Sequence, residues 1–152
     1  MPVHNVFPHG LPAGAPQDLL AAMGLLLAVE INVPQSLANV LTSQGATLPQ
    51  PVTGGALIDT GATSCCVEES LVQGLGLQPI GQVNVCGQSG LKLQNVYLAR
   101  MSFPGSPIPT LELPLIGVQM TGQNLISLIG RDVLRHCVLV YNGPQGSYTI
   151  AF

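Results

Sequence analysis

The chain has 152 residues, 47% of them hydrophobic and only 7% charged, with a formal net charge of −3. That length suits one domain with a real core, and so little charge, against the roughly 25% usual in soluble domains, leaves a neutral surface that favours oligomerisation. Lys92, Arg100, Arg131 and Arg135 are its only lysine and arginines and there is no Trp, which excludes a phosphate-binding patch or a base-stacking platform, so no nucleic acid is expected as a partner.

Met1 to Gln17 holds Pro2, Pro8, Pro12 and Pro16 and no Lys or Arg. Such a composition resists regular structure, and residues 1–22 are predicted to be a Pro/Gly-rich arm ahead of a single domain over 23–152. Without a basic leading region a secretory signal is not expected, which predicts cytoplasmic residence. The apolar run Leu19 to Val29 lies between Asp18 and Glu30 and falls short of the ~20 residues a bilayer requires, so no membrane partner is expected. Alternation in Val29-Glu30-Ile31-Asn32-Val33 predicts a strand ended by Pro34, and Leu37, Val40 and Leu41 predict a short helix over 35–42. Ala56-Leu57-Ile58 reads as a short apolar strand that stops at Asp59-Thr60-Gly61-Ala62. Another strand follows over 65–67, then a helical turn from Glu68 to Leu75 ending on Gly76. Strands over 82–86, 91–101, 111–120 and 125–129 come next, then a helix over 130–136. A hairpin of 137–141 with 147–152 about Asn142 to Gly146 closes the chain. This is an all-β rhythm.

A carboxylate placed directly after three apolar strand residues is costly to keep ionised unless its surroundings supply hydrogen bonds. Gly61 lets the chain turn so that amides approach Asp59, and the Thr60 hydroxyl can donate and accept. Taken alone, Asp-Thr-Gly is also ordinary turn chemistry. However, Leu57-Ile58-Asp59-Thr60-Gly61-Ala62 resembles the active-site motif of the retropepsin-like aspartic peptidases. Leu128-Ile129-Gly130-Arg131-Asp132-Val133-Leu134 resembles the second signature of that family, in the right order, and the similarity runs over about 31–152.

The resemblance implies an all-β, retropepsin-like closed β-barrel (the acid protease fold), with one short C-terminal helix and a candidate short N-terminal helix. It implies an aspartic endopeptidase in which Asp59 is catalytic and Thr60, Gly61 and Ala62 support it. Gly130, Arg131 and Asp132 would form the structural second signature, and neither a metal nor an organic cofactor is required. Only one Asp-Thr-Gly occurs, and Asp18, Glu30, Glu68, Glu69, Glu112 and Asp132 stand in very different contexts. The second aspartate is therefore expected from an identical subunit across a two-fold axis, the homodimer acting on a peptide or protein substrate. Val85-Cys86-Gly87-Gln88-Ser89-Gly90, a glycine-containing turn between strands, is the candidate flap. Val67, Val85 and Ile129 are candidate pocket residues.

Where retroviral members commonly carry an acidic residue after this motif, Thr63 and Ser64 stand here. The partner of Arg131 is thus open between Asp132, another carboxylate and backbone carbonyls. Cys65, Cys66, Cys86 and Cys137 lack CxxC spacing, which argues against zinc or a disulfide framework and for buried or half-buried thiols. His4, His9 and His136 read as solvated or capping residues. The alternative to a peptidase is a catalytically silent retropepsin-like module for dimerisation or peptide binding, and a third is an unrelated β-barrel binding protein.

Overall fold

The computed structural model describes residues 1–7, 15–87, 90–120, 122 and 124–152. Strands dominate it: β1 (Val3–Val6), β2 (Leu26–Asn32), β3 (Val52–Ile58), β4 (Cys66–Glu68), β5 (Gly81–Gly87), β6 (Gly90–Ser102), β7 (Leu111–Val118), β8 (Leu125–Ile129), β9 (Val138–Asn142) and β10 (Ser147–Ala151). Among the described residues four short helices interrupt them, α1 (Pro16–Met23), α2 (Gln35–Ser43), α3 (Glu69–Gly74) and α4 (Arg131–Leu134), with a 3-10 turn at Gly143–Gln145.

Period-two alternation sends Leu27, Val29 and Ile31 of β2, Tyr97, Ala99 and Met101 of β6, and Leu113 and Leu115 of β7 into one core, where all are buried. Each large apolar side chain so buried contributes about 1.5–3 kcal/mol. The larger sheet runs β2-β3-β8-β4-β7-β6-β5, and β2 also pairs with β6 through Glu30↔Ser102, Ile31↔Met101 and Asn32↔Arg100. The smaller sheet is β1-β10-β9.

One pairing decides where the site forms. β3 and β8 are adjacent and parallel, with Leu57 opposite Leu128 and Ile58 opposite Ile129. Parallel neighbours end at the same edge of a sheet, so the chain leaves β3 into Asp59 and leaves β8 into Gly130 side by side.

The smaller sheet and α1 correct the expectation of an irregular arm. Val3–Val6 pairs along β10 from Val3↔Ala151 to Val6↔Tyr148, and Pro16–Met23 is a helix with proline in its first turn, where a missing amide proton costs nothing. The apolar run 19–29 is not one element: the helix stops at Gly24, whose amide closes on the Leu20 carbonyl, and β2 begins two residues later. The terminal hairpin forms in the expected place, with Ser147 opposite Asn142. Its turn packs so tightly on α1 that a Cβ on Gly146, which has φ of 60°, would lie 2.1 Å from the Pro16 carbonyl carbon. The helix expected over 130–136 is confined to Arg131–Leu134, and the strand expected to reach Met120 ends at Val118, beyond which the Met120 amide donates to Glu68 Oε2 (2.6 Å). Among the described residues, no helix is long and apolar enough to cross a membrane.

Candidate active site

Asp59 continues the β3–β8 ladder by one bond, its amide donating to the Ile129 carbonyl at 2.9 Å. The chain then turns back over the carboxylate. Asp59 Oδ1 accepts the amides of Gly61 (2.8 Å) and Ala62 (3.3 Å), and the Ala62 amide also reaches the Asp59 carbonyl (3.2 Å). Oδ2 accepts no hydrogen bond among the described residues. Asp59 itself is half-buried, whereas Thr60 and Gly61 at the turn tip are exposed.

The start of α4 grips this turn from behind. The Arg131 and Asp132 amides donate to the carbonyls of Ala62 (2.9 Å) and Thr63 (3.1 Å). The Arg131 guanidinium spreads over the same loop: Nη1 donates to the carbonyls of Thr60 (2.9 Å) and Gly61 (3.3 Å), and Nη2 to Thr63 Oγ1 (3.1 Å). The question left by Thr63 and Ser64 is thereby answered with neutral acceptors. Asp132 is occupied elsewhere, accepting the Cys65 amide on Oδ2 (2.9 Å) and the Cys65 thiol (3.0 Å) and Val133 amide (2.9 Å) on Oδ1. Gly130 must be glycine here, since a Cβ would fall 2.5 Å from the Ser64 carbonyl carbon and 2.6 Å from its oxygen. Asp59, Thr60, Gly61 and Ala62 are thus brought together with Gly130, Arg131 and Asp132.

Two of the three candidate pocket residues are not available to a ligand. Val67 and Ile129 are 0% and 1% exposed, on the core side of their strands. Alternation then puts Cys66 on the opposite side. Its half-buried thiol is pushed up to about 11 by burial first, then by the negative charges of Asp132 and Asp59. Cys66 therefore stands within the field of Asp59, which composition alone could not reveal. Cys65 was expected to pack as a small hydrophobe, and it is buried, but its sulfur also lies inside the hydrogen-bond network just described. Cys86 is exposed, against the expectation of a buried or half-buried thiol. Of the histidines, His4 lies in β1, His136 is exposed and accepts from Arg135 Nε at 3.0 Å, and His9 lies outside the described residues.

β5 and β6 form a hairpin paired from Gly81↔Val96 to Gly87↔Gly90. Val85, Cys86, Gly87 and Gly90 are at its end, and the flap candidates Gln88 and Ser89 lie outside the described residues. A cavity of about 450 Å³ opens between Val85, Gly87, Gly90 and Lys92 of this hairpin and Glu69 and Val118. The hairpin base is tied to α3 by a polar network that sequence reasoning missed. Glu69 Oε1 accepts from Asn95 Nδ2 and from the Tyr97 hydroxyl, both at 2.8 Å, while Gln82 Nε2 donates to Asn95 Oδ1 (3.0 Å). Burial, and then the hydrogen bond to the Glu69 carboxylate, holds the Tyr97 phenol above its ordinary range. Among the described residues no three His, Cys, Asp or Glu side chains gather as a metal cluster.

No family model matches the chain. No curated protein matches it either. Among solved structures it is similar to the solution structure of Simian Foamy Virus (mac) protease, with a TM-score of 0.45 and 20% sequence identity, over 73% of this chain and 92% of that one.

Proposed function

We propose that this chain is the subunit of a retropepsin-like aspartic endopeptidase, whose active site forms when two copies bring their Asp59 carboxylates together. One observation carries the proposal: two parallel strands deliver the Asp-Thr-Gly turn and the Gly-Arg-Asp turn to one sheet edge, where Arg131 holds the carbonyls of Thr60 and Gly61. A turn aspartate with no further task needs no such tether. The closed barrel expected of the family is supported by β2, which pairs with β3 on one side and with β6 on the other.

The need for a second copy follows from the state of the other carboxylates. Asp132 serves Cys65 and Val133, Glu68 serves Met120, Glu69 serves Asn95 and Tyr97, Glu112 accepts from the Gln35 amide, and Glu30 accepts from Ser102. Asp18 stands in the first turn of α1, and none of the other five has a hydrogen bond in common with Asp59. Among the described residues the smaller sheet has two outer strands, β1 and β9; β9 begins four residues after α4 and leaves Val138, Val140 and Tyr141 53%, 52% and 53% exposed. An apolar unpaired edge suits pairing with a second copy.

In the dimer the two carboxylates, about 3 Å apart as in aspartic proteases generally, share one proton. The ionised one takes a proton from a water held between them, and the resulting nucleophile attacks the peptide carbonyl. The protonated one donates to the developing oxyanion, and then a proton passes to the leaving amine. The amides on Oδ1 fix the carboxylate plane and leave Oδ2 for the water. The β5–β6 hairpin covers an extended peptide.

Asp59→Asn tests the reading in a peptide-library digest at mildly acidic pH. The native dimer cleaves and the variant, still dimeric by sedimentation, does not. Equal turnover by both would refute the catalytic role, and a native dimer that binds peptides without cleaving them would favour the silent module.

A further inference from the structure

We infer that Cys65 is a positioning residue for Asp59: its thiol, donating to Asp132 and accepting from the Gly130 amide, is the joint through which the second signature holds the catalytic turn. Its kinetic consequence rests on the proposed proteolysis, but the geometry stands apart from it.

Every polar group of Cys65 is engaged. Its amide donates to Asp132 Oδ2 (2.9 Å), its carbonyl accepts from the Ile116 amide (3.1 Å), its thiol donates to Asp132 Oδ1 (3.0 Å), and its sulfur accepts from the Gly130 amide (3.2 Å). The residue is fully buried. Groups removed from water in this way cost free energy if left unpaired, so the four bonds fix the geometry of whatever they join.

Three of them join the loop after Asp59 to Gly130 and Asp132 at the start of α4, and the fourth ties it to Ile116 of β7. Asp132 and Gly130 flank Arg131, and the Arg131 side chain binds the carbonyls of Thr60 and Gly61, in the turn that holds Asp59 Oδ1 through the Gly61 and Ala62 amides. The path from thiol to carboxylate is continuous. Burial and the hydrogen bond to Asp132 push the thiol far above its ordinary value, so the sulfur keeps its proton and remains a donor. A protonated, inaccessible thiol is neither a nucleophile nor a redox sensor.

Valine at position 65 fills similar space but can neither donate to Asp132 nor accept from Gly130. It would break the two bonds made by the sulfur and so loosen this joint, leaving the Cys65 amide bond to Asp132 and the Arg131 tethers in place, without opening a large cavity. Serine keeps both roles on a shorter bond. Cys65→Val is expected to lower kcat by at least about 10-fold with KM within about 2-fold, as misplacement of a reacting group does, while Cys65→Ser stays within about 3-fold of native kcat. In amide hydrogen exchange, Cys65→Val should lose protection at Gly61, Ala62 and Gly130 by at least about 10-fold, with the β9–β10 amides unchanged and Cys65→Ser close to native.

Unchanged exchange at those three amides in Cys65→Val would overturn the inference, whether or not the native chain cleaves peptides. So would equal acceleration at β9–β10, the mark of general destabilisation. If the native chain shows no proteolysis, the function proposed above fails and the exchange pattern alone decides the role of Cys65. Should Cys65→Val not fold, Asp132→Asn, which removes the acceptor of the Cys65 amide or thiol, must give the same local loss of protection.

Discussion

At the residue scale, the Arg131 guanidinium meets the Asp59 turn through two carbonyls and a hydroxyl. An arginine–carboxylate pair loosens when the acid partner is protonated, whereas an arginine bound to neutral acceptors does not respond to acid. The tether therefore survives the mildly acidic conditions in which a shared-proton dyad works. Alkali is another matter. Burial holds the thiols of Cys66 and Cys137 up to about 11 from an ordinary 9.0. The folded chain keeps these protons more tightly than the unfolded chain, so their contribution to stability is complete below pH 9 and is lost as pH rises through about 11. Urea midpoints should fall across that interval, and Cys66→Ser with Cys137→Ser should reduce the fall; an unaltered slope would contradict the assignment. Asp59 and Arg131 were legible in the sequence because each sits in a short motif with its own residue types. The partners of Arg131 were not, because backbone carbonyls have no letter of their own. Cys65 was legible as buried but not as bonded, since nothing in Cys65-Cys66 says which sulfur lies beside Asp132.

At the scale of elements, alternation and turn residues located most strands to within a residue or two, among them 125–129 and the terminal hairpin. Periodicity reports which face of a strand is buried, not which strand lies beside it. The parallel contact of β3 and β8, which builds the site, therefore became visible only in the fold. The same limit hid β1, whose four residues gain their order by pairing with β10 at the other end of the chain. The Glu69–Tyr97–Asn95 network joins residues 26 and 28 positions apart, beyond any local pattern. It predicts that Tyr97→Phe, which strips one donor from Glu69, costs about 1 kcal/mol and speeds amide exchange along β5 and the paired half of β6. Native exchange in that hairpin would show that it is held by its own ladder alone.

For the whole molecule, the low charge density and the apolar edge of β9 have one consequence: a surface of this kind is better covered than left in water. The fold supplies a single Asp59 and spends its other site carboxylate, Asp132, on holding the loop. Under the proposed function dimerisation is then a condition of catalysis rather than an accessory to it, and activity should fall on dilution below the dimer dissociation constant. The central claim, that each active site is shared between two copies, is tested by mixing native and Asp59→Asn subunits at constant total concentration and letting them exchange. If each dimer needs both carboxylates, activity follows the square of the native fraction, so an equal mixture retains about a quarter of the native rate. A rate that falls only in simple proportion to the native fraction would mean that each Asp59 works alone, and one that stays at about three quarters in the equal mixture that one Asp59 suffices for a dimer; either would contradict the account.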